Sequence, residues 1–327
     1  MNLFVLSTPS QAFFLSRAPE LLENAIVIAT VTDKTTASKI FEHLQEFEFE
    51  YTLIVYMVDN NDWLKPLKIL YFRIWLFQFK KKFKTFQNVY IGSYSNIYHL
   101  SIIGEYEKKS KISLLYDGMQ IISVAYNRKL NNSEVRSLPR VFRQLKFKQP
   151  KIPSLNFVGP FTLDVNSRDT SKSLNRKNQN EHPKLDETEV IFVGQHLVQL
   201  EIVSNDFYLK CLRGLVKKFP NKKVLYIPHP RENKVNLEKI SEFLEIKTFN
   251  GIFEEEYLNS KVFPKTVVSF YSSVLGNLCY LRAETDLYAI AIPEANFLRK
   301  ELYDNYQVTF SFLKQLDSPK ISIIDFQ

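Results

Sequence analysis

Ala25-Ile26-Val27-Ile28-Ala29-Thr30-Val31 is a run of seven residues with one hydroxyl and no charge. A run that is apolar at every position, rather than at alternate ones, suits a strand covered on both faces, as in a parallel sheet flanked by helices. The residues after it fit the same unit. Asp33 stands where a helix cap belongs, 34–47 carries a helical pattern, and Thr52-Leu53-Ile54-Val55-Tyr56-Met57-Val58 is a second apolar run. Strand, helix and strand in that order predict a Rossmann-like α/β sheet.

The alternation extends outward from there. Residues 2–6 read as a first strand, and Asn88-Val89-Tyr90-Ile91 and Ile112-Ser113-Leu114-Leu115-Tyr116 as later ones. The character then changes: 164–188 contains only Val165, Leu174 and Leu185 as apolar residues and reads as a linker or surface excursion. Beyond it come strand Val190-Ile191-Phe192-Val193, a helix over 204–219, strand Val224-Leu225-Tyr226-Ile227, a helix near 237–244, strand 266–271, a helix from Ser272 and strand 287–292. Ile321-Ser322-Ile323-Ile324 is a strand or an ordered tail. The expected organisation is two Rossmann-like domains, 1–163 and 189–327, joined by 164–188 and facing a central cleft.

Composition narrows the class. With 327 residues, 45% of them hydrophobic, the chain has material for two packed cores. No uncharged apolar run approaches the ~20 residues a bilayer span needs. The start lacks a basic region and breaks at Ser7-Thr8-Pro9, unlike a secretory signal. Cys211 and Cys279 lie in apolar helical patterns, and two cysteines cannot build a zinc cage, so buried thiols in a reducing, cytoplasmic compartment are expected.

Charge is concentrated. Lys and Arg number 43 against 35 Asp and Glu, a net charge of +8. Lys65, Lys68, Arg73, Lys80, Lys81, Lys82 and Lys84 all fall in 65–86, which contains no acid, so nearly the whole excess is there. Tyr71, Phe72, Trp75, Phe77, Phe79, Phe83 and Phe86 are interleaved with them. Two readings stand: a helix resting peripherally on an anionic membrane surface, or a helix packed on its own domain with a solvated basic end. A nucleic-acid groove is disfavoured, because the patch is short and the rest of the chain is neutral.

Rossmann-like sheets bind ligands beyond the carboxyl ends of their strands, so the polar residues that follow each apolar run are the candidates. Four places qualify. Asp117-Gly118 follows 112–116 and offers a general base, or an ordinary turn. Pro228-His229-Pro230 follows 224–227 and holds His229 on a stiff loop, as an acid or a phosphate partner. His182-Pro183 follows no strand, and His43 and His99 lie in helical patterns where a satisfied histidine is the usual outcome. Ser272-Ser273 ends a strand and opens a helix, which makes either a phosphate site or a simple cap. Gly194-Gln195-His196 follows 190–193, with Asp206 opening the next helix as a cap, a first-turn acid or a cleft residue. The chain has no Asp-x-Asp, Gly-x-Gly-x-x-Gly, Walker motif or metal-spaced Cys/His cluster. That leaves metal-free transfer from a monophosphate-activated donor, with no cofactor.

Tyr116-Asp117-Gly118, His229-Pro230 and Ser272-Ser273, in this order, resemble the three short motifs of bacterial sialyltransferases. Leu6-Ser7-Thr8-Pro9-Ser10-Gln11, Gly194-Gln195 and Tyr226-Ile227-Pro228-His229-Pro230-Arg231-Glu232 look most like glycosyltransferase family 52, the lipooligosaccharide and capsule sialyltransferases. The resemblance covers essentially the whole chain. It implies a GT-B fold and an inverting, metal-independent displacement from CMP-sialic acid onto a terminal sugar, galactose by expectation, of a lipid-linked glycan at the inner membrane face. The N-terminal domain would hold the acceptor near Thr8, Gln11 and Gly118. The C-terminal domain would hold the donor with Gly194, Gln195, Pro230, Ser272 and Ser273, and His229 would assist departure of CMP. The family pattern carries an acid where Tyr116 stands, and it also places a base upstream of the His-Pro motif. Asp117 and Asp206 are therefore both candidates for the base. The alternatives are transfer of sialic acid to sialic acid, another CMP-ulosonic acid donor, or a non-catalytic protein that binds membrane or nucleic acid. A homodimer is compatible with each.

Overall fold

The computed structural model describes residues 1–57, 65–130, 135–174, 182–249, 251–316 and 321–326. The chain divides into two compact units, Met1–Lys177 and Asn178–Gln327. The first contains β1 (Asn2–Leu6), α1 (Pro9–Ser16), α2 (Pro19–Leu22), β2 (Ala25–Val31), α3 (Lys34–Glu42), β3 (Tyr51–Tyr56), α4 (Lys65–Lys82), β4 (Asn88–Ile91), α5 (Ile97–Tyr106), β5 (Lys111–Leu115), α6 (Gln120–Lys129), α7 (Arg140–Gln144), β6 (Asn156–Gly159) and β7 (Thr170–Ser173). The second contains β8 (Lys184–Val193), α8 (Asn205–Lys218), β9 (Lys223–Ile227), α9 (Lys234–Ser241), β10 (Glu245–Ile246), α10 (Phe253–Asn259), β11 (Val262–Ser269), α11 (Ser273–Tyr280), β12 (Asp286–Ile290), α12 (Tyr303–Lys314) and β13 (Ile321–Ile324).

The strand order is β3-β2-β1-β4-β5-β6-β7 in the first sheet and β10-β9-β8-β11-β12-β13 in the second. Every pairing between these strands is parallel. In both units the first strand is central and the order reverses beside it, between β1 and β4 and between β8 and β11. That reversal is where doubly wound sheets open a crevice for ligands.

Burial follows from this order. All seven residues of β2 are buried, as their uninterrupted apolarity demands. Phe4 and Leu6 of β1, Val27 and Ala29 of β2, Leu15 of α1 and Ile40 of α3 share one core cluster. Each fully buried side chain of the Leu or Ile kind stabilises the fold by about 1.5–3 kcal/mol. The run 52–58 departs from expectation. Its strand stops at Tyr56, Val58 lies outside the described residues, and β3 is the sheet edge, so Ile54 and Tyr56 are exposed rather than covered on both faces.

The reading of 164–188 as linker needs correction. Thr170–Ser173 pairs with β6 as the opposite edge of the first sheet, and β8 begins at Lys184. An edge strand has one row of backbone groups and most side chains in water, so polar composition does not exclude it. The stretch is also anchored. Asp169 makes a buried ion pair with Arg128 (2.6 Å) and accepts from Leu155 N. Burial pushes the Asp169 carboxyl upward, and the Arg128 and Leu155 hydrogen bonds outweigh it, leaving it below the usual range.

In α4, Ile69, Phe72, Leu76 and Phe79 are buried, with Phe72 stacked on Phe147 (5.6 Å) and edge-on to Tyr98 (4.9 Å). Arg73 and Lys80 reach the carboxylate of Glu105. One face of this basic helix is thus packed on its own unit. Cys211 and Cys279 are free thiols and buried, and burial pushes the Cys211 thiol up to about 12. Among the described residues no helix is long and apolar enough to cross a membrane.

Candidate functional site

In the first unit, the segment after β1 enters α1 through a capping box. Thr8 Oγ1 accepts from Gln11 N, and Gln11 Oε1 accepts from Thr8 N (3.3 Å) and Ser7 N (2.7 Å). Thr8 Oγ1 also donates to Asp117 Oδ1 (2.9 Å), which ties the ends of β1 and β5 together and orients that carboxylate. Gly118 follows at φ 75°, a left-handed conformation that glycine adopts without strain. Tyr116, where the family pattern has an acid, is buried edge-on to Phe14 (5.1 Å). A second carboxylate there would be buried, at a desolvation cost.

Gln11 does not fit the acceptor-contact role. It is 1% exposed, and its Nε2 donates to Gly92 O (2.8 Å). Both ends of the amide are consumed in closing the β1/β4 reversal, so nothing is left to offer a sugar.

The second unit is arranged differently at the same topological position. Gln195 follows β8, and its Oε1 accepts from Tyr271 N (3.0 Å) beyond β11, which leaves its amide NH₂ as a donor group. Gly194 before it has no room for a side chain. A Cβ would lie 2.5 Å from the Tyr226 hydroxyl and 2.8 Å from Glu232 Oε2. Ser272 caps α11, its Oγ accepting from Val274 N (3.3 Å), and half-buried Ser273 is the first helical residue. The N–H groups of this first turn and the two hydroxyls suit an anion.

His229 sits on the loop after β9. Its backbone N–H donates to Glu232 Oε2 (2.6 Å), and its Nδ1 accepts from Arg231 N (3.1 Å). The ring proton of the neutral imidazole is therefore on Nε2. Burial first, then the charges of His196 and Arg231, hold His229 down at about 4. Its ring stacks on that of His196, whose pKa is also lowered by burial and by Arg231. A hydrogen-bonded chain runs from half-buried Glu232 inward: Tyr226 donates to Glu232 Oε1 (2.5 Å), and the buried Tyr208 and Tyr226 hydroxyls meet at 2.9 Å. Burial raises the Glu232 carboxyl and both phenols.

The second unit thus gathers Gly194, Gln195, His229, Ser272 and Ser273 at the ends of the neighbouring strands β9, β8 and β11. Pro230 is exposed in the same loop as His229. Asp206 is an exposed acid in the first turn of α8, where Ser204 is the cap. Thr8, Asp117 and Gly118 belong to the first unit. His196 and Glu232 lie in the candidate stretches of the sequence, which assigns neither a role. The ring stack that brings His196 in depends on two strands lying side by side, which no local pattern reports. Of the weaker histidines, His99 is a satisfied core residue: Ser93 N donates to its Nδ1, and its Nε2 meets Thr30 Oγ1 at 2.7 Å.

Residues 3–291 match the alpha-2,8-polysialyltransferase (POLYST) family. The chain belongs to that family. It is accordingly a glycosyltransferase of the sialyltransferase class, and the match names this family rather than family 52. No curated protein matches the chain in sequence. Its fold is similar to that of UDP-GlcNAc 2-epimerase from Neisseria meningitidis bound to UDP-GlcNAc, at TM-score 0.55 and 13% identity over 97% of this chain and 92% of that one. A protein from Listeria monocytogenes assigned as a UDP-N-acetylglucosamine 2-epimerase gives 0.54 and 12% over 93% and 81%. At such identities the likeness speaks for the fold alone: two parallel-sheet α/β domains of the GT-B class.

Proposed function

We propose that this sialyltransferase moves sialic acid from CMP-sialic acid to a glycan hydroxyl by a single inverting displacement that needs no metal. The observation that carries the proposal is the chain of contacts at the reversal of the second sheet. His229 stacks on His196, and next to His196 in sequence Gln195 holds Tyr271 N, one residue before Ser272. Its donor groups, the α11 N–H groups, the serine hydroxyls and His229 Nε2–H, suit a phosphate.

In the proposed step, Asp117 takes the acceptor hydroxyl proton as its oxygen bonds to the anomeric carbon. The bond from that carbon to the phosphate oxygen breaks, and CMP leaves with the electron pair. The α11 N–H groups, Ser272, Ser273 and His229 Nε2–H stabilise its growing charge. Asp117 is preferred to Asp206 because Thr8 orients it, whereas Asp206 is exposed in a helical first turn. Thr8 and Gly118 would border the acceptor, and Pro230 would stiffen the donor loop. The acceptor proposed is a galactose-terminated lipooligosaccharide or capsular glycan, as in family 52. The family description favours a second reading, with sialic acid itself as the acceptor terminus.

The test is CMP release from CMP-sialic acid in EDTA, with a galactose-terminated acceptor, an oligosialic acid, or none. Release that depends on an acceptor and on His229 supports the transfer, and the productive acceptor decides between the readings. No release with either acceptor, together with no CMP binding by calorimetry, refutes it.

A further inference from the structure

The helix α4 is apolar on two opposite faces. At 3.6 residues per turn, the buried set Ile69, Phe72, Leu76 and Phe79 lies on one side, and Leu67, Leu70, Tyr71, Ile74 and Phe77 lie on the other. The second set is left in solvent: Tyr71 is 74% exposed, Leu67 63%, Phe77 51% and Ile74 49%. Ile54 and Tyr56 of edge strand β3 are exposed too, and they line a groove of about 460 Å³ between β3 and α4 with Leu67 and Tyr71 of the stripe and with Leu53 and Trp75. Scattered exposed apolar residues need no explanation, but a stripe along a whole helix beside an open edge strand does.

Its borders say what covers it. On the helical wheel Lys68 and Lys82 flank the stripe on one side, Arg73 and Lys80 on the other, and Lys81 and Lys84 stand at its C-terminal end. Arg73 and Lys80 are turned to Glu105; Lys68, Lys81, Lys82 and Lys84 are exposed, with the Lys81 ammonium over the Phe77 ring (4.5 Å) and that of Lys82 near the Tyr51 and Phe83 rings. A second copy of the chain would bring the same lysines against these. Nucleic-acid phosphates would leave Leu67 and Ile74 wet. An anionic bilayer surface satisfies both parts, because acyl boundary receives the stripe and headgroup phosphates meet the lysines.

We propose that α4 docks the first unit on an anionic membrane surface, seating Leu67, Tyr71, Ile74 and Phe77 in the headgroup boundary with Lys68, Lys81, Lys82 and Lys84 on the lipid phosphates. This goes beyond the transfer reaction and does not depend on it. The test is sedimentation of the protein with vesicles of phosphatidylcholine alone or mixed with phosphatidylglycerol. The wild type is expected to sediment with the anionic vesicles and to be released by salt. Tyr71→Ser/Ile74→Ser/Phe77→Ser and Lys68→Glu/Lys81→Glu/Lys84→Glu are each expected to weaken that binding about tenfold or more while circular dichroism is unchanged. Wild type remaining in the supernatant overturns the proposal, as does equal binding to both vesicle types. Binding by the lysine variant at the wild-type level overturns it as well, and so does a dimer lost in the apolar variant without vesicle binding. The readout is lipid binding, so it stands or falls separately from CMP release.

Discussion

The His196 and His229 rings stack with centroids 4.1 Å apart and planes 25° from parallel. Two imidazoles so placed resist sharing two protons, and Arg231 adds to the penalty. His229 Nδ1 is also occupied by the Arg231 backbone N–H, which an imidazolium would oppose. The residue is therefore a neutral Nε2–H donor, and in the proposed transfer it would meet the donor phosphate in that form.

From this, kcat/KM should hold level on the acid side from pH 8 to about 5.5 as far as His229 is concerned, since its pKa lies at about 4. His229→Gln, which keeps an N–H donor, should retain roughly tenfold more activity than His229→Ala. A pH profile of CMP release checks both. An acid limb near pH ~6.5 that vanishes in His229→Gln would mean that the protonated ring acts instead.

The loop that carries His229 is pinned by Glu232, which accepts from Tyr226 and from His229 N. Glu232→Ala strands both donors and should cost about 1–3 kcal/mol in denaturant unfolding. Gly194→Ala drives a methyl into the same two side chains and should cost a similar amount. If both variants keep wild-type stability and turnover, the network does not position His229.

His99 is fully buried and held down at about 3, with burial the dominant cause. Its unfolded value is ~6.5, so between the two values the unfolded chain binds the extra proton and stability falls as pH falls. Each pH unit in that window should remove up to about 1.4 kcal/mol. Thermal midpoints between pH 7 and 5 should therefore drop more steeply for wild type than for His99→Gln, which starts lower because it loses its packing.

Gln11 closes the β1/β4 reversal and faces no solvent. Gln11→Ala should lower stability by about 1–3 kcal/mol by stranding Ser7 N, Thr8 N and Gly92 O. Below its melting transition the variant should keep the acceptor KM within about twofold, because Gln11 removes no sugar contact. A large rise in KM at unchanged stability would restore the acceptor role.

The sequence carried the sheet architecture because buried parallel strands are apolar throughout, and 25–31 was unambiguous. It under-read 164–188, where edge strand β7 is polar and the Asp169–Arg128 pair joins residues far apart in the chain. Strand-end positions such as His229 and Ser272 were visible from their place after apolar runs. Which strand ends meet was not visible, so the His196 stack and the Glu232 hydrogen bonds stayed hidden. Gln11 shows the converse: a polar residue after a strand reads as a ligand contact until its partners are known.

The all-parallel pairing of both sheets also bears on how the chain reaches this state. No two neighbouring strands can form as a local hairpin, and β11 must find β8 across α8, β9, α9, β10 and α10. Loop closure of that length precedes any reward, so folding is slow relative to domains of the same size built from local contacts. Until β2 is seated, β3 presents two bare backbone edges, and afterwards it still presents one beside Ile54 and Tyr56. Production at low temperature, where encounters between such edges are less frequent, is the practical corollary.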